Sequence, residues 1–364
     1  MSTRIWHLLV VTSLVVGISI TTVVLLAEPQ SVSPRTGTAT LPDATSVKAF
    51  IAAQVTKGFT PPKTPWGDPD ISGVFTTKNE ANTPLERPAY WSGRRMQDIT
   101  PQELAADMVE RQRLAIERAP FAGGGEPEEG VAIAVPIHWF DNLAAVNSRP
   151  WFMIEPPDGQ LPSLTATAEK RTIFRPGLEN GRRDTYLDRN LGDRCIAMGA
   201  FRQPGIYGNS FQIVQAPGYV VLRQEQVHEA RVVPLDDREP LSPHIRSYIG
   251  HTRGYWEQNT LVVVTTNFDP RMEIRNFGAK QAGYLPLGNL RLIERYTRIA
   301  PDKVEWTMTF DDPTTWTQPF TVSFPMTADN TQIIHEYACH EGNFGLANLL
   351  SAGRLGDKQT GKSK

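Results

Sequence analysis

Over most of this chain, apolar residues recur at the two-residue period of half-buried strands, not the 3.6-residue period of helices. The pattern is clearest from residue 130 onward. Residues 211–215 and 219–227 flank Ala216-Pro217-Gly218, and 230–234 continues that pattern. Residues 254–257 and 261–266 flank Gln258-Asn259-Thr260. Residues 290–299 and 303–311 flank Ala300-Pro301-Asp302, while 320–325 and 332–340 read as a fourth pair. Shorter apolar runs at 131–135 and 151–154 predict two further strands. Hairpin following hairpin without an intervening helix predicts an antiparallel meander, not βαβ units. The expected fold is therefore mainly β: a calycin-like barrel or a sandwich, with one N-terminal amphipathic helix and a short C-terminal helix.

The helices announce themselves differently. Thr100-Pro101-Gln102-Glu103 places a capping threonine, a first-turn proline and a glutamate at the third helical position. Leu104, Met108, Leu114 and Ile116 then lie among charges as far as Arg118. A short helix is predicted at 47–55 and a closing helix at 342–351. Residues 66–75 read as a turn leading into a strand.

The chain divides by texture. Residues 1–27 are a signal peptide or signal anchor: 5–27 carry no charged side chain, and such a helix covers about 30 Å of hydrocarbon. Arg4 favours an inward N-terminus. The large Leu25 fits the small-residue cleavage rule poorly, so cleavage and retention both stay open. Residues 28–64 read as a flexible arm, 65–130 as a strand, helix and loop region, 131–355 as the β domain and 356–364 as a disordered tail. This organisation implies a periplasmic or extracellular protein, touching the inner membrane only through residues 5–27 if these are retained.

Composition narrows the partners. The chain is 40% hydrophobic and 21% charged, with a formal net charge of -2. No basic stripe is interleaved with aromatics, so nucleic acid is not an expected partner. The glycines at 123–125 lack a following Lys-Ser/Thr, and acidic residues crowd them, which argues against phosphate binding. There is no Gly-x-Ser-x-Gly elbow, dinucleotide fingerprint, haem-attachment motif or calcium loop. No cofactor is expected, and no metal: His335 and His340 do not have the helical zinc spacing. The expected partner is a small-molecule ligand.

Strand parity adds a puzzle. On 219–228, Arg223 and Glu225 share one face, with Gln224, Gln226 and His228 on the other. On 290–298, Leu292, Glu294 and Tyr296 oppose Arg291, Ile293 and Arg295. Charges on both faces either line a wet cavity inside a barrel or face solvent on a sandwich.

The densest chemistry is His335-Glu336-Tyr337-Ala338-Cys339-His340-Glu341-Gly342-Asn343. His340 with Glu341, at a strand–helix junction, is the leading acid–base candidate. The alternative is that Glu341 and Asn343 cap the helix while His340 bonds backbone. His228 with Glu225 is the second catalytic candidate and His251 the third. Arg223, Arg253, Asn267 and Tyr337 are candidate substrate-binding residues. The two cysteines, Cys195 and Cys339, read first as a disulfide closing a loop of about 145 residues.

The segments Asp70-Ile71-Ser72-Gly73-Val74-Phe75 and Tyr337-Ala338-Cys339-His340-Glu341-Gly342-Asn343-Phe344-Gly345 resemble the start and end motifs of a family of exported Gram-negative bacterial proteins. Arg253-Gly254-Tyr255-Trp256-Glu257 and Asp311-Asp312-Pro313-Thr314-Thr315-Trp316 are similar to segments between them. Phe344 stands where that family usually has tyrosine. The resemblance implies an exported β protein and no particular activity.

Two functions are compatible with these residues. One is a cofactor-independent lyase, isomerase or hydrolase using His/Glu acid–base chemistry on a small amphipathic or aromatic molecule. The other is a non-catalytic periplasmic carrier, or an envelope scaffold with no cavity at all.

Overall fold

The computed structural model describes residues 44–118, 145–171, 185–199, 201–205, 207–275, 284–331 and 333–359. The loop at 123–130, the strand expected at 131–135 and the apolar run at 5–27 lie outside them. No described helix is long and apolar enough to cross a membrane.

The strands are β1 (Gly73–Thr76), β2 (Met153–Glu155), β3 (Ser210–Ala216), β4 (Tyr219–Gln224), β5 (Ala230–Pro234), β6 (His251–Glu257) and β7 (Thr260–Thr266), followed by the small hairpin β8 (Glu273–Arg275) and β9 (Tyr284–Pro286). β10 (Arg291–Ala300), β11 (Lys303–Asp311) and β12 (Phe320–Ala328) complete them. Nine strands run antiparallel in the order β5-β4-β3-β1-β12-β11-β10-β7-β6, and β2 joins β12 beside β1. This sheet curls into a nearly closed barrel. At the seam, β5 and β6 pack through side chains: a Cβ on Gly254 would lie 2.6 Å from Val233 Cγ1 and 2.8 Å from Leu235 Cδ2.

Three expected hairpins are present and antiparallel, β3–β4 and β6–β7 in continuous register and β10–β11 with one irregularity between Arg298 and Ala300. The fourth is not. β12 is one strand to Ala328, and residues 333–340 form no strand. Its ladder positions are already taken by β11 on one side and by β1 and β2 on the other, so no edge remains for a following strand. β4 also stops at Gln224 instead of 227. A turn at 225–229 follows, with Val227 at φ 55°, and the chain reverses into β5.

The helices are α1 (Thr45–Gln54), α2 (Pro101–Arg118), α3 (Ala166–Arg171) and α4 (Phe344–Gln359). Within the stretch read as an arm, α1 buries Val47 and Ile51, and the Thr56 N–H donates to Ile299 O at 2.9 Å. The capping box of α2 forms as its sequence predicts: Thr100 N donates to Glu103 Oε2 (2.8 Å) and Glu103 N to Thr100 Oγ1 (3.2 Å). Bonds from Arg94 and Thr100 pull the Glu103 carboxyl down to about 2. α4 extends to Gln359, beyond the predicted 351 and into the region read as a disordered tail.

Aromatic and aliphatic side chains from every barrel strand fill the interior. Phe310 and Phe320 stack at 4.7 Å, and Phe324 meets Phe152 edge-on at 4.5 Å. Between Arg231, Tyr296, Trp306 and Met326 only a void of about 10 Å³ remains, too small for a ligand. Around these side chains the barrel interior is a packed core.

The charge puzzle resolves in a way neither expectation covered. Inside the barrel, Arg231 forks onto Glu294 at 2.5 and 2.9 Å, and Glu294 also accepts from Tyr296 OH (2.7 Å) and Trp306 Nε1 (3.2 Å). Outside it, Arg149 forks onto Glu305 at 3.0 and 3.1 Å, beneath Phe50 of α1. Each of these four buried charges is paired and hydrogen-bonded, the condition for keeping it out of water.

Candidate functional site

Several strand connections at one end of the barrel meet around a hollow. There lie the turn at 225–229, the segment joining β7 to β8 and the loop leading into β3. Phe201 from that loop stoppers the barrel, meeting Phe310 edge-on at 5.1 Å and stacking on Phe324 at 5.8 Å. The pocket outside this stopper has a volume of about 550 Å³, the size of a small-molecule site. Met198, Phe201, Met272 and Ile274 give it an apolar side; Arg202, Gln226, Tyr207 and Tyr337 give it a polar one.

The C-terminal strap reaches the pocket by covalent means. Cys195 and Cys339 form a disulfide with a Cα–Cα distance of 5.5 Å, spanning 144 positions of sequence. Asn343 Nδ2 adds a bond to Asp193 O at 3.2 Å, and Arg223 Nη2 reaches Ile334 O at 3.4 Å. Tyr337 consequently sits in the pocket wall and hydrogen-bonds Tyr207. Burial pushes the Tyr337 phenol up, so it stays protonated at neutral pH.

Arg202 defines the polar side. Its Nη2 donates to Tyr207 O at 2.6 Å and its Nη1 to Gln226 Oε1. Gly208 makes this possible. It sits at φ 71°, and a Cβ there would come within 2.6 Å of the Gln226 side chain. Behind the wall, Glu229 is buried against the backbone N–H groups of Met198 and Gly199. Burial raises its carboxyl to about 7; Arg231 opposes the shift, and Glu294 reinforces it.

The sequence-derived candidates scatter around this site. Tyr337 and Cys339 line it. His340 and Glu341 are exposed in the turn before α4 and do not line the pocket. Their backbones close that turn, with Glu341 N on Ala338 O at 2.9 Å and Asn343 N on His340 O at 3.3 Å. His228 ends the short 3-10 turn Gln226–His228. Glu225 uses Oε2 to accept the Ser210 N–H at 3.1 Å. His251 and Arg253 alternate with buried Thr252 on the outer face of β6, and Arg253 Nη1 bonds Thr252 O at 3.0 Å. Asn267 Nδ2 holds the carbonyls of Leu241 (3.4 Å), Ser242 (2.9 Å) and Ile245 (3.0 Å), organising a loop. With no strand at 333–340, His335, Tyr337 and Cys339 do not share a strand face as expected; His335 is exposed. No group of three or more His, Cys, Asp or Glu among the described residues is placed to hold a metal ion.

Arg202, Tyr207, Gln226 and Glu229 carry the site and escaped the sequence reading. The Glu225-Gln226-Val227-His228-Glu229 run gave one signal, since polar residues crowd a strand where alternation should continue. Arg202 and Tyr207 lie in a loop with no periodic pattern. Comparison with protein-family models, with curated proteins and with solved structures finds no match.

Proposed function

We propose that this is an exported protein that binds a small amphipathic or aromatic molecule in the pocket at the end of the barrel. One observation carries the reading: a hollow of about 550 Å³ whose walls oppose methionine, phenylalanine and isoleucine to two arginines, two carboxylates and two phenols. Such a mixture of apolar surface with a few convergent polar groups is the usual composition of ligand sites. A disulfide pinning the strap to this pocket suits an oxidising compartment, as does the resemblance to exported proteins.

The test is thermal. A panel of small aromatic acids, alcohols and amides is screened against the full chain and against Met198→Trp, which places a bulky ring in the hollow at a half-open position. A true ligand at a hundred times its Kd stabilises the protein by about 2.7 kcal/mol, and Met198→Trp removes the shift. If no compound raises the melting temperature, or the shift survives Met198→Trp, the reading fails.

A second reading, turnover, is favoured by the Tyr207–Tyr337 hydrogen bond beside Arg202. A phenol held protonated next to a cation can donate a proton to a bound molecule. Tyr337→Phe separates the two. An enzyme loses turnover with little change in affinity; a carrier shows no turnover to lose.

A further inference from the structure

The pocket's charges are not equally committed. Asp193 arrives bound to Arg189, Nη2 to Oδ2 at 2.7 Å. Arg271 arrives bound to Asp269 at 2.8 Å, with its guanidinium over the Tyr248 ring at 5.0 Å. Arg202 differs. Its hydrogen-bonded partners among the described residues, Tyr207 O and Gln226 Oε1, are neutral acceptors, and its guanidinium lies over the Tyr207 ring at 6.0 Å. Its Nε is enclosed and donates to nothing among the described residues. Glu273 also lines the pocket, but no carboxylate among the described residues forms an ion pair with Arg202. Glu225 contributes a favourable field but spends its Oε2 on the Ser210 amide.

A largely buried guanidinium with no ion-paired carboxylate among the described residues is costly unless something else supplies one. Its planar fork matches a carboxylate, and charge-assisted bonds of that kind are roughly twice as strong as those to neutral oxygens. Beside it stand the apolar walls, Met198, Phe201, Met272 and Ile274. Thioether sulfurs and aromatic edges are good company for a ring. Among the described lining residues Arg202 is the one cation without an ion pair, and a single such cation suits one negative charge better than a phosphate dianion.

We propose that Arg202 is the anion anchor of this pocket and that the ligand is an aromatic monocarboxylate, its ring against Met198 and Met272 and its carboxylate on the guanidinium. Gln226 and the Tyr207 carbonyl hold the fork in place while the site is empty and yield one N–H pair when the acid enters. This assignment rests on the pocket being a ligand site and goes beyond it by fixing the ligand's charge and shape.

The experiment compares 2-naphthoate with 2-naphthamide, which share a ring system and differ in charge. Both are titrated calorimetrically into the full-length wild type, Arg202→Gln and Arg202→Lys, each first checked for a cooperative melting transition. The wild type is expected to bind the acid at least tenfold more tightly than the amide. Arg202→Gln should abolish that preference and leave the amide's affinity within about twofold. Arg202→Lys, which keeps the charge but not the fork, should reduce the preference severalfold. Should Arg202→Gln fail to fold, the Lys variant decides, and an undiminished preference there overturns the assignment. Equal binding of acid and amide to the wild type overturns the anion anchor while leaving the pocket reading intact. Binding of neither compound sinks both.

Discussion

Arg231 on β5 and Glu294 on β10 meet as a two-pronged ion pair, at 2.5 and 2.9 Å, across the inside of the barrel. β5 and β6 are the two unpaired edges of the sheet, and β10 lies two strands in from β6. The pair therefore spans the seam that backbone hydrogen bonds leave open. Burial works against the Arg231 charge, but Glu294, with help from Tyr296 and Glu229, keeps its pKa above the ordinary value.

Removing one partner strands the other charge in a dry core. Glu294→Gln and Arg231→Met are each expected to destabilise the fold by about 3–5 kcal/mol. The double replacement Arg231→Met with Glu294→Leu should cost much less than the sum of the two single changes. Urea denaturation of the three variants measures this. Additive losses would show that the two side chains act independently.

Glu229 gives the fold a pH dependence of definite sign. Its carboxyl titrates near 7 when folded, against an ordinary glutamate value of 4.5. The folded state thus holds a proton that the unfolded chain has released. That contribution is complete below about pH 4.5 and is lost as pH rises through 7. The difference amounts to about 3 kcal/mol. Glu229→Gln, which cannot ionise, should gain stability relative to wild type as pH rises from about 4.5 to 8. Paired denaturation curves across that range provide the check, and a flat difference contradicts the assignment.

Gly254 sets how closely the two barrel edges approach. A methyl group there would press on Val233 Cγ1 at 2.6 Å, on Leu235 Cδ2 at 2.8 Å and on Val262 O at 3.4 Å. Gly254→Ala should cost about 1–3 kcal/mol through overpacking. Amide exchange should quicken first in β5 and β6, because the strain acts at the seam. Uniform quickening over the whole barrel would place the weak point elsewhere.

The disulfide is expected to matter twice. Joining positions 144 apart, it restrains the unfolded chain strongly, and its loss should cost about 2–5 kcal/mol. The Cys195→Ser/Cys339→Ser pair also releases the strap that carries Tyr337 into the pocket wall. Ligand affinity should then fall along with stability. An unchanged affinity in the folded variant would remove the strap from the site.

How much of this was legible in the sequence depends on how local the cause is. The β3–β4, β6–β7 and β10–β11 hairpins were readable because turn residues and alternation sit within one short window. So was the α2 capping box, which Thr100 and Glu103 complete three residues apart. The strand predicted at 332–340 failed because strand formation needs a free edge, and β12 has none to offer. The continuation of β4 past Gln224 failed for a different reason: the backbone turns at Val227 with a positive φ that no residue in the run advertises. Parity on β10 correctly put Glu294 beside Leu292 and Tyr296. What it lacked was Arg231, 63 positions away, so the face read as either a wet cavity or a solvent-facing surface. Arg202 was invisible because its meaning comes from the pocket that distant segments build around it and from the lack of an ion-paired carboxylate among the described residues.

The most direct test of the central claim is where an aromatic acid lands. Methionine methyl NMR resolves this, since Met198 and Met272 line the pocket while Met308 and Met326 are buried in the barrel core. Titration with 2-naphthoate should shift the Met198 and Met272 methyl signals by ring currents and leave those of Met308 and Met326 in place. Shifts confined to Met308 and Met326, or no shift at any of the four at millimolar acid, would contradict a binding site at the end of the barrel.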